Sequence, residues 1–421
     1  MIHTPKDMTK DVLDTAIVLV IKSNFKIDHL NNDLRAKKRV LVYEEKYGLR
    51  PTHRNAFDVI EPISKVSYEE IRDVVKAHVG NKEKTRLVYL GEDDILPVAR
   101  IREELGIPGA TLKELSFFLN KTMQMERMKK HNVRVPKGTQ FEKEKYQKDP
   151  EAYATELEEE IGFPMFVKPS NGVCSQGIMN VENHEHLRKA FEMMNQAESV
   201  YLIQEFITGT MYGIDVAVIN GEAKLICPFV KGNYVGDMKI GKPNLSMVLQ
   251  STDPIYQKMV EYTKRVIKAF ENPPDSWANI EVFYTEKEEI VYCETNYRRT
   301  GSMVLHNILY TLGVNGEEIH IKIQACTPVT LPKDDYKTNW PAYSFTGDWP
   351  MIQGVVKRRN PLPEGLRSNI IFNWFYGKGD KFREFKTFTD NSANCISKTD
   401  DYEVLKEDFK LLKNWYPYEF E

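Results

Sequence analysis

The stretch ANIEVFYTEKEEIVYCETNYR, residues 278–298, sets two apolar runs on either side of a charged turn. Residues 278–284 and 289–294 read as the strands of an antiparallel hairpin turned around TEKEE. Each run carries a glutamate, Glu281 and Glu294, and a carboxylate within an apolar strand is costly unless it is paired or ligated. Side chains alternate along a strand, so Glu294 and Asn296 share one face, and Arg298 joins them if the strand continues. Glu281 alone would read as an ordinary strand residue paired with a lysine. Carboxylates and an amide oxygen converging on one face suit a hard divalent cation such as Mg²⁺, which takes oxygen ligands and keeps substrate phosphates in its shell.

Upstream, KPSNGVCSQGI, residues 168–178, follows the short apolar strand FPMFV. Lys168 at the end of a buried strand needs an anionic partner. The small residues Ser170, Asn171, Gly172, Ser175 and Gly177 let backbone N–H groups approach an anion closely, and phosphate is the candidate.

The remaining chain frames these signals. With 421 residues, the length points to several domains or subdomains, and 41% hydrophobic with 28% charged residues is a soluble, core-forming composition. A net charge of −3 carries no nucleic-acid footprint. The 5 cysteines form no CxxC pair, which fits a reducing compartment. The apolar segment TAIVLVI, residues 15–21, is too short to span a bilayer and lacks a cleavage-site flank, so no membrane role is expected and the default location is cytoplasmic.

Up to about residue 115, strand patterns (RVLVY, RLVYL) alternate with helical ones (residues 68–79 and 94–105), which predicts a parallel sheet. Residues 112–132 read as one long helix, and 137–154 as a polar connector. A hairpin is expected over 212–219 and 223–230, turned at Asn220 and Gly221, with a mobile loop over 231–249. Lys231, Lys239 and Lys242 in that loop read first as solvated charges, and second as a means to attract an acidic substrate or carrier protein. GDMKIGKP, residues 236–243, imitates a P-loop, but it lacks the Ser/Thr that would bind Mg²⁺, and Pro243 brings no N–H. His184 and His186 point to different helix faces, and no nucleophile has an assignable histidine base. The tryptophans and the aromatic tail, residues 415–420, are expected to pack the C-terminal region.

In this order, the motifs resemble the ATP-grasp superfamily, in the carboxylate-ligase branch near the L-amino acid ligases and biotin carboxylase-type domains. GEDDILPVARIREELGIPG resembles the end of that family's N-terminal domain, and NKTMQMERMKKHNVRVPKG its first ATP-binding segment. FPMFVKPSNGVCSQGI resembles the second lysine with its glycine-rich lid, and YLIQEFITG the adenine hinge. The resemblance implies ATP binding by Lys121, Lys168, Ser170, Gly172, Ser175, Gly177, Gln204, Glu205 and Ile207. It implies Mg²⁺ (or Mn²⁺) on Glu281, Glu294 and Asn296, and an acyl phosphate steadied by Arg298. It also implies an α/β N-terminal (pre-ATP-grasp) domain over residues 1–115, two α+β subdomains gripping ATP over 116–330, and a small C-terminal subdomain over 331–421. The lid then covers about 135–203 and the hinge 204–209.

Two departures stand out. Many relatives carry a glutamate after the hinge glycine where this chain has Met211, with Asp215 nearby. The metal motif runs into RRTGS instead of paired glycines, leaving Arg298 favoured over Arg299 on register alone. The implied activity is ADP-forming ligation of a carboxylic acid, above all an amino acid, to an amine or thiol, in a chain of a family often homodimeric. The alternatives are loading of an amino acid such as L-glutamate onto an acyl-carrier protein in antibiotic or secondary-metabolite biosynthesis, and an ATP-binding scaffold without turnover.

Overall fold

Strands Leu13–Val20, Ala36–Glu44, Val59–Ile63 and Thr85–Val88 form an N-terminal sheet with every pairing parallel. Its two central strands carry buried apolar runs at residues 16–18 and 40–42, where both faces are covered. Ile17, Val40 and Leu87 pack into one buried cluster, while Val18, Leu41 and Val88 pack into another. Helix Tyr68–His78 fills the crossover from Val59–Ile63 to Thr85–Val88, and helix Ile95–Leu105 follows that last strand. Ser67 caps the first through the Glu70 N–H, and Gly106 ends the second at φ +66°. The computed structural model describes residues 2–3, 5, 12–20, 34–49, 51–171, 177–332, 342–386 and 390–421. Gly172 and Ser175 of the glycine-rich segment lie outside them.

The region expected to be one helix over 112–132 is two, Leu112–Phe117 and Lys121–Lys130. Asn120 causes the break, because its side chain accepts the Met123 N–H and starts a new helix there. Lys121 thereby becomes the first residue of a helix. The expected connector over 137–154 instead holds strand Gly138–Gln140 and helices Lys143–Lys148 and Pro150–Glu160. Charged surface faces conceal the helical period there.

Strand Gly138–Gln140 is the edge of a four-stranded antiparallel sheet completed by Tyr201–Glu205, Met165–Pro169 and Met179–Val181. Gly138 is required at its place. With φ +154°, a Cβ there would lie 2.3 Å from the Ile203 carbonyl oxygen. Gly138→Ala is expected to destabilise this small sheet by about 1–3 kcal/mol, read as a lowered thermal-unfolding midpoint.

The largest sheet has eight antiparallel strands in the order Ile290–Asn296, Ser276–Tyr284, Thr210–Ile219, Glu222–Lys231, Asn244–Val248, Tyr343–Pro350, Asn391–Thr399 and Asn369–Trp374. The hairpin turns at Asn220 (φ +58°) and Gly221 (φ +73°), as its sequence predicts. The supposed mobile loop over 231–249 is ordered structure: the strand runs to Lys231, a 3-10 helix covers Val235–Ile240, and Asn244–Val248 is a strand. Strands after residue 342 extend this same sheet, so the sheet has no break near residue 331. The aromatic residues pack there as expected, with Trp349 and Phe372 against Trp415 at ring distances of 5.7 Å and 5.3 Å. Among the described residues, no helix is long and apolar enough to cross a membrane.

Candidate active site

The two faces of the eight-stranded sheet differ in chemistry. Tyr212, Ile214, Val216, Ile280 and Val282 point into the main core. The alternate residues, Met211, Gly213, Asp215, Asn279 and Glu281, therefore face the other side. Glu281 lies directly opposite Glu294, and Asn279 opposite Asn296. Alternation alone would not bring this about. Val282 pairs with Tyr292, so Cys293 is an extra residue, and this bulge turns Glu294 out of the core to face the same way as Glu281.

Glu294 is ringed by cations. Lys121 Nζ lies 3.2 Å from its Oε2, and Asn296 Nδ2 donates to Oε1 at 3.0 Å. Burial pushes the Glu294 carboxyl up, but the Lys121 and Lys168 ammonium groups outweigh it and hold the carboxyl well below its usual range. Lys168, in a strand of the small sheet and only 7% exposed, thus acts on the same carboxylate as Lys121.

Gln124 sets the spacing of these groups. Its Nε2 donates to the Phe118 and Thr295 carbonyls, and its Oε1 accepts from the Tyr292 hydroxyl and the Thr295 N–H, which fixes the Lys121 helix against the Glu294 strand. Ser170 joins the small sheet to the same helix end: its carbonyl accepts the Lys121 N–H at 3.2 Å, and its hydroxyl meets Thr122 Oγ1 at 3.0 Å.

The other expected ATP-binding residues are placed more variously. Gln204 is buried with its amide on Met125 Sδ at 2.8 Å. Glu205 accepts from Arg134 Nη2 and the Lys137 N–H, at 2.5 Å and 2.6 Å, so it ties its strand to the chain entering strand Gly138–Gln140. Ile207 is half-buried, and Gly177 holds a left-handed turn at φ +67°. Met211 is buried on the polar face of the sheet.

The double arginine is resolved by its partners. Arg298 Nη2 and Nε both donate to Glu92 Oε2, at 2.7 Å and 3.1 Å, and Arg298 also feels the charges of Glu281 and Glu294. Arg299 Nε instead lies 3.6 Å from Glu317 Oε1, within helix Gly316–Gln324. The same loop continues with Thr300, which donates to Asp215, and Ser302, which donates to Asp348. Arg298 is therefore the arginine on the side of the paired glutamates.

Some participants are not apparent from the sequence. Lys231, expected in a flexible loop, is only 8% exposed and bonds Glu281 Oε1 at 2.5 Å. Strand alternation through PFVK carries that signal once the strand is extended by one residue. Glu92 follows the parallel strand Thr85–Val88, and the carboxyl ends of parallel strands are where α/β sheets place ligands.

The residues fit a divalent cation: Glu281, Glu294 and Asn296 present oxygens from facing strand positions, and lysine ammonium groups occupy the two carboxylates. Lys168→Ala is expected to weaken ATP binding roughly tenfold or more by removing a buried cation from the cleft. Isothermal titration with ATP checks this, and unchanged affinity with an unchanged rate would remove Lys168 from phosphate binding.

Known structures share this fold over nearly the whole chain. The L-amino acid ligase from Bacillus licheniformis superposes with a TM-score of 0.71 over 97% of this chain and 99% of that one, at 16% identity. The chain has the ATP-grasp fold. A second ATP-grasp structure, the N5-carboxyaminoimidazole synthase of Aspergillus clavatus in complex with ADP and 5-aminoimidazole ribonucleotide, superposes with a TM-score of 0.68 over 95% of this chain and 98% of that one, at 14% identity. The family model for the D-Ala–D-Ala ligase C-terminus matches residues 128–299, which include Lys168, Glu281, Glu294, Asn296 and Arg298. In sequence, the D-alanine–D-alanine ligase of Bacillus velezensis is 28% identical over 163 residues, 37% of this chain and 45% of that protein. That of Oceanobacillus iheyensis is 26% identical over 220 residues, 49% and 57% respectively. The match thus spans about half the length of these relatives.

Proposed function

We propose that this ATP-grasp chain is an ATP-dependent carboxylate–amine ligase that forms ADP and acts on an amino acid. The observation carrying this reading is the facing of Glu281 and Glu294 across the bulged hairpin, with Lys121 and Lys168 brought to Glu294 from two subdomains. Two like-charged reactants must meet, a carboxylate and the γ-phosphate of ATP, so positioning and charge neutralisation dominate such a reaction. Mg²⁺ or Mn²⁺ held by Glu281, Glu294 and Asn296 would supply neutralisation of the β and γ phosphate oxygens.

In this reading, Lys121 and Lys168 leave Glu294 for the phosphates. Arg298 orients the acid's carboxylate, whose oxygen attacks the γ-phosphorus as ADP departs. An amine then attacks the acyl carbon, loses a proton and displaces inorganic phosphate. Swinging of the small four-stranded sheet about residues 204–209 would keep water from the mixed anhydride. An amino acid suits the Arg298–Glu92 pair, because its carboxylate can take the arginine fork while its ammonium faces Glu92.

The relatives named above as ligases of amino acids favour an amide product. The deciding experiment incubates the protein with ATP, Mg²⁺, hydroxylamine and each common amino acid. Acid-dependent ADP with hydroxamate is expected. AMP in place of ADP would replace the acyl phosphate with an adenylate, and no turnover with any acid would leave the scaffold reading.

A further inference from the structure

Four acids around the cleft form ion pairs, and Asp215, held by the Thr300 hydroxyl, feels the Arg298 charge. Glu92 meets Arg298, Glu281 meets Lys231, Glu294 meets Lys121 and Glu317 meets Arg299. Asp348 differs. It is only 4% exposed, on a strand where it lies opposite Asn244 and Asn394. The Ser302 hydroxyl donates to its Oδ2, and among the described residues no cation forms an ion pair with it. Burial pushes its carboxyl up to about 6, with only the Ser302 hydrogen bond opposing. The amide nitrogen of Asn307, which reaches Thr346 two residues before Asp348, is already engaged: it donates to the Ser246 carbonyl at 2.8 Å and to Thr346 Oγ1 at 3.1 Å. A buried carboxylate without a counter-charge is costly unless a cation arrives from outside the chain.

The position gives that cation an approach. Ser302, unlike Asp348, is exposed, and it holds a left-handed backbone at φ +62° immediately after Gly301. It belongs to the loop that begins with Arg298, and the chain between the two spans at most about 14 Å. That is the scale of a small molecule. A group resting on Asp348 and a carbonyl held at Arg298 can belong to the two partners of one condensation.

We propose that Asp348, covered by Ser302, is the subsite for the cationic group of the second substrate, so that the acceptor is a small ammonium-bearing molecule such as an amino acid and not a carrier-protein thiol. This rests on the ligase reading and adds to it the acceptor's class. Asp348 binds by charge and hydrogen bonding only, and takes no part in acyl phosphate formation.

The test compares the unsubstituted protein, Asp348→Asn and Asp348→Glu with ATP, Mg²⁺ and the acid that the hydroxamate assay identifies. Each common amino acid is offered as acceptor, and N-acetylcysteamine as the thiol probe. Amide is expected from an amino acid and no thioester from the thiol. Asp348→Asn is expected to raise KM for the amino acid acceptor about tenfold or more. KM for ATP and for the acid should stay unchanged, as should hydroxamate formation, since hydroxylamine is neutral and needs no carboxylate. Asp348→Glu, keeping the charge, should recover part of the acceptor affinity. An unmoved acceptor KM, a thioester product, or a parallel loss of hydroxamate formation in the Asn variant would each overturn the proposal. No acid-dependent hydroxamate from the unsubstituted protein would instead overturn the ligase reading beneath it.

Discussion

Glu294→Ala is expected to reduce acid-dependent ADP formation by about a thousandfold or more while the protein stays folded. The effect is large because Glu294 has several roles at once. It lies opposite Glu281, bonds Lys121 at 3.2 Å and receives the Asn296 amide at 3.0 Å. Removing it strips one oxygen donor from the cation site and leaves the half-buried Lys121 without the carboxylate that faces it. The fold should survive, because the strand is anchored by its neighbours Tyr292 and Thr295 through Gln124. Steady-state ADP release and circular dichroism together check the result. A folded Glu294→Ala variant with normal turnover would end the metal assignment.

Arg298→Ala carries the second largest effect, a loss of about a hundredfold to a thousandfold in kcat/KM for the acid, with ATP affinity little changed. The guanidinium directs two donors at one Glu92 oxygen, a fork geometry that a lysine cannot copy, so Arg298→Lys should recover little. Arg299→Ala is the contrasting case. Its partner Glu317 lies on a helix of the scaffold, so that variant should lose stability more than acid recognition. If Arg299→Ala rather than Arg298→Ala abolished use of the acid, the two roles would have to be exchanged.

The hairpin, the alternating N-terminal strands and helices, and the turn at Asn220 and Gly221 were all legible in the sequence, because each rests on local period or turn chemistry. The lysines at 121 and 168 and the residues Glu281, Glu294, Asn296 and Arg298 were legible as types in a familiar order. Three-dimensional pairing was less so. A single side-chain cap at Asn120 divides a run of helical pattern that continues unbroken in sequence. Lys231 looked like a solvated loop charge because glycines follow it, yet the strand extends just far enough to bring it to Glu281. Glu92 and Arg298 are far apart in the chain, and Asp348 further still from Glu92, so no spacing rule could join them. Charged surfaces over 143–160 hid two helices, of which Lys143–Lys148 buries no residue and Pro150–Glu160 only Tyr153, Ala154 and Leu157.

The extra residue at Cys293 bears on which length changes the site can survive. Were Cys293 deleted, the strands would pair regularly, with Glu294 still opposite Glu281, so this position can lose a residue without reorienting the carboxylates. A residue gained between Glu294 and Asn296 would do the opposite, sending the Asn296 amide into the apolar core. Changes of length in the TEKEE turn leave both facings alone, because they alter the connection and not the pairing. Insertions and deletions in descendants of this chain should therefore collect in the turn and at Cys293, and avoid the short interval from Glu294 to Asn296.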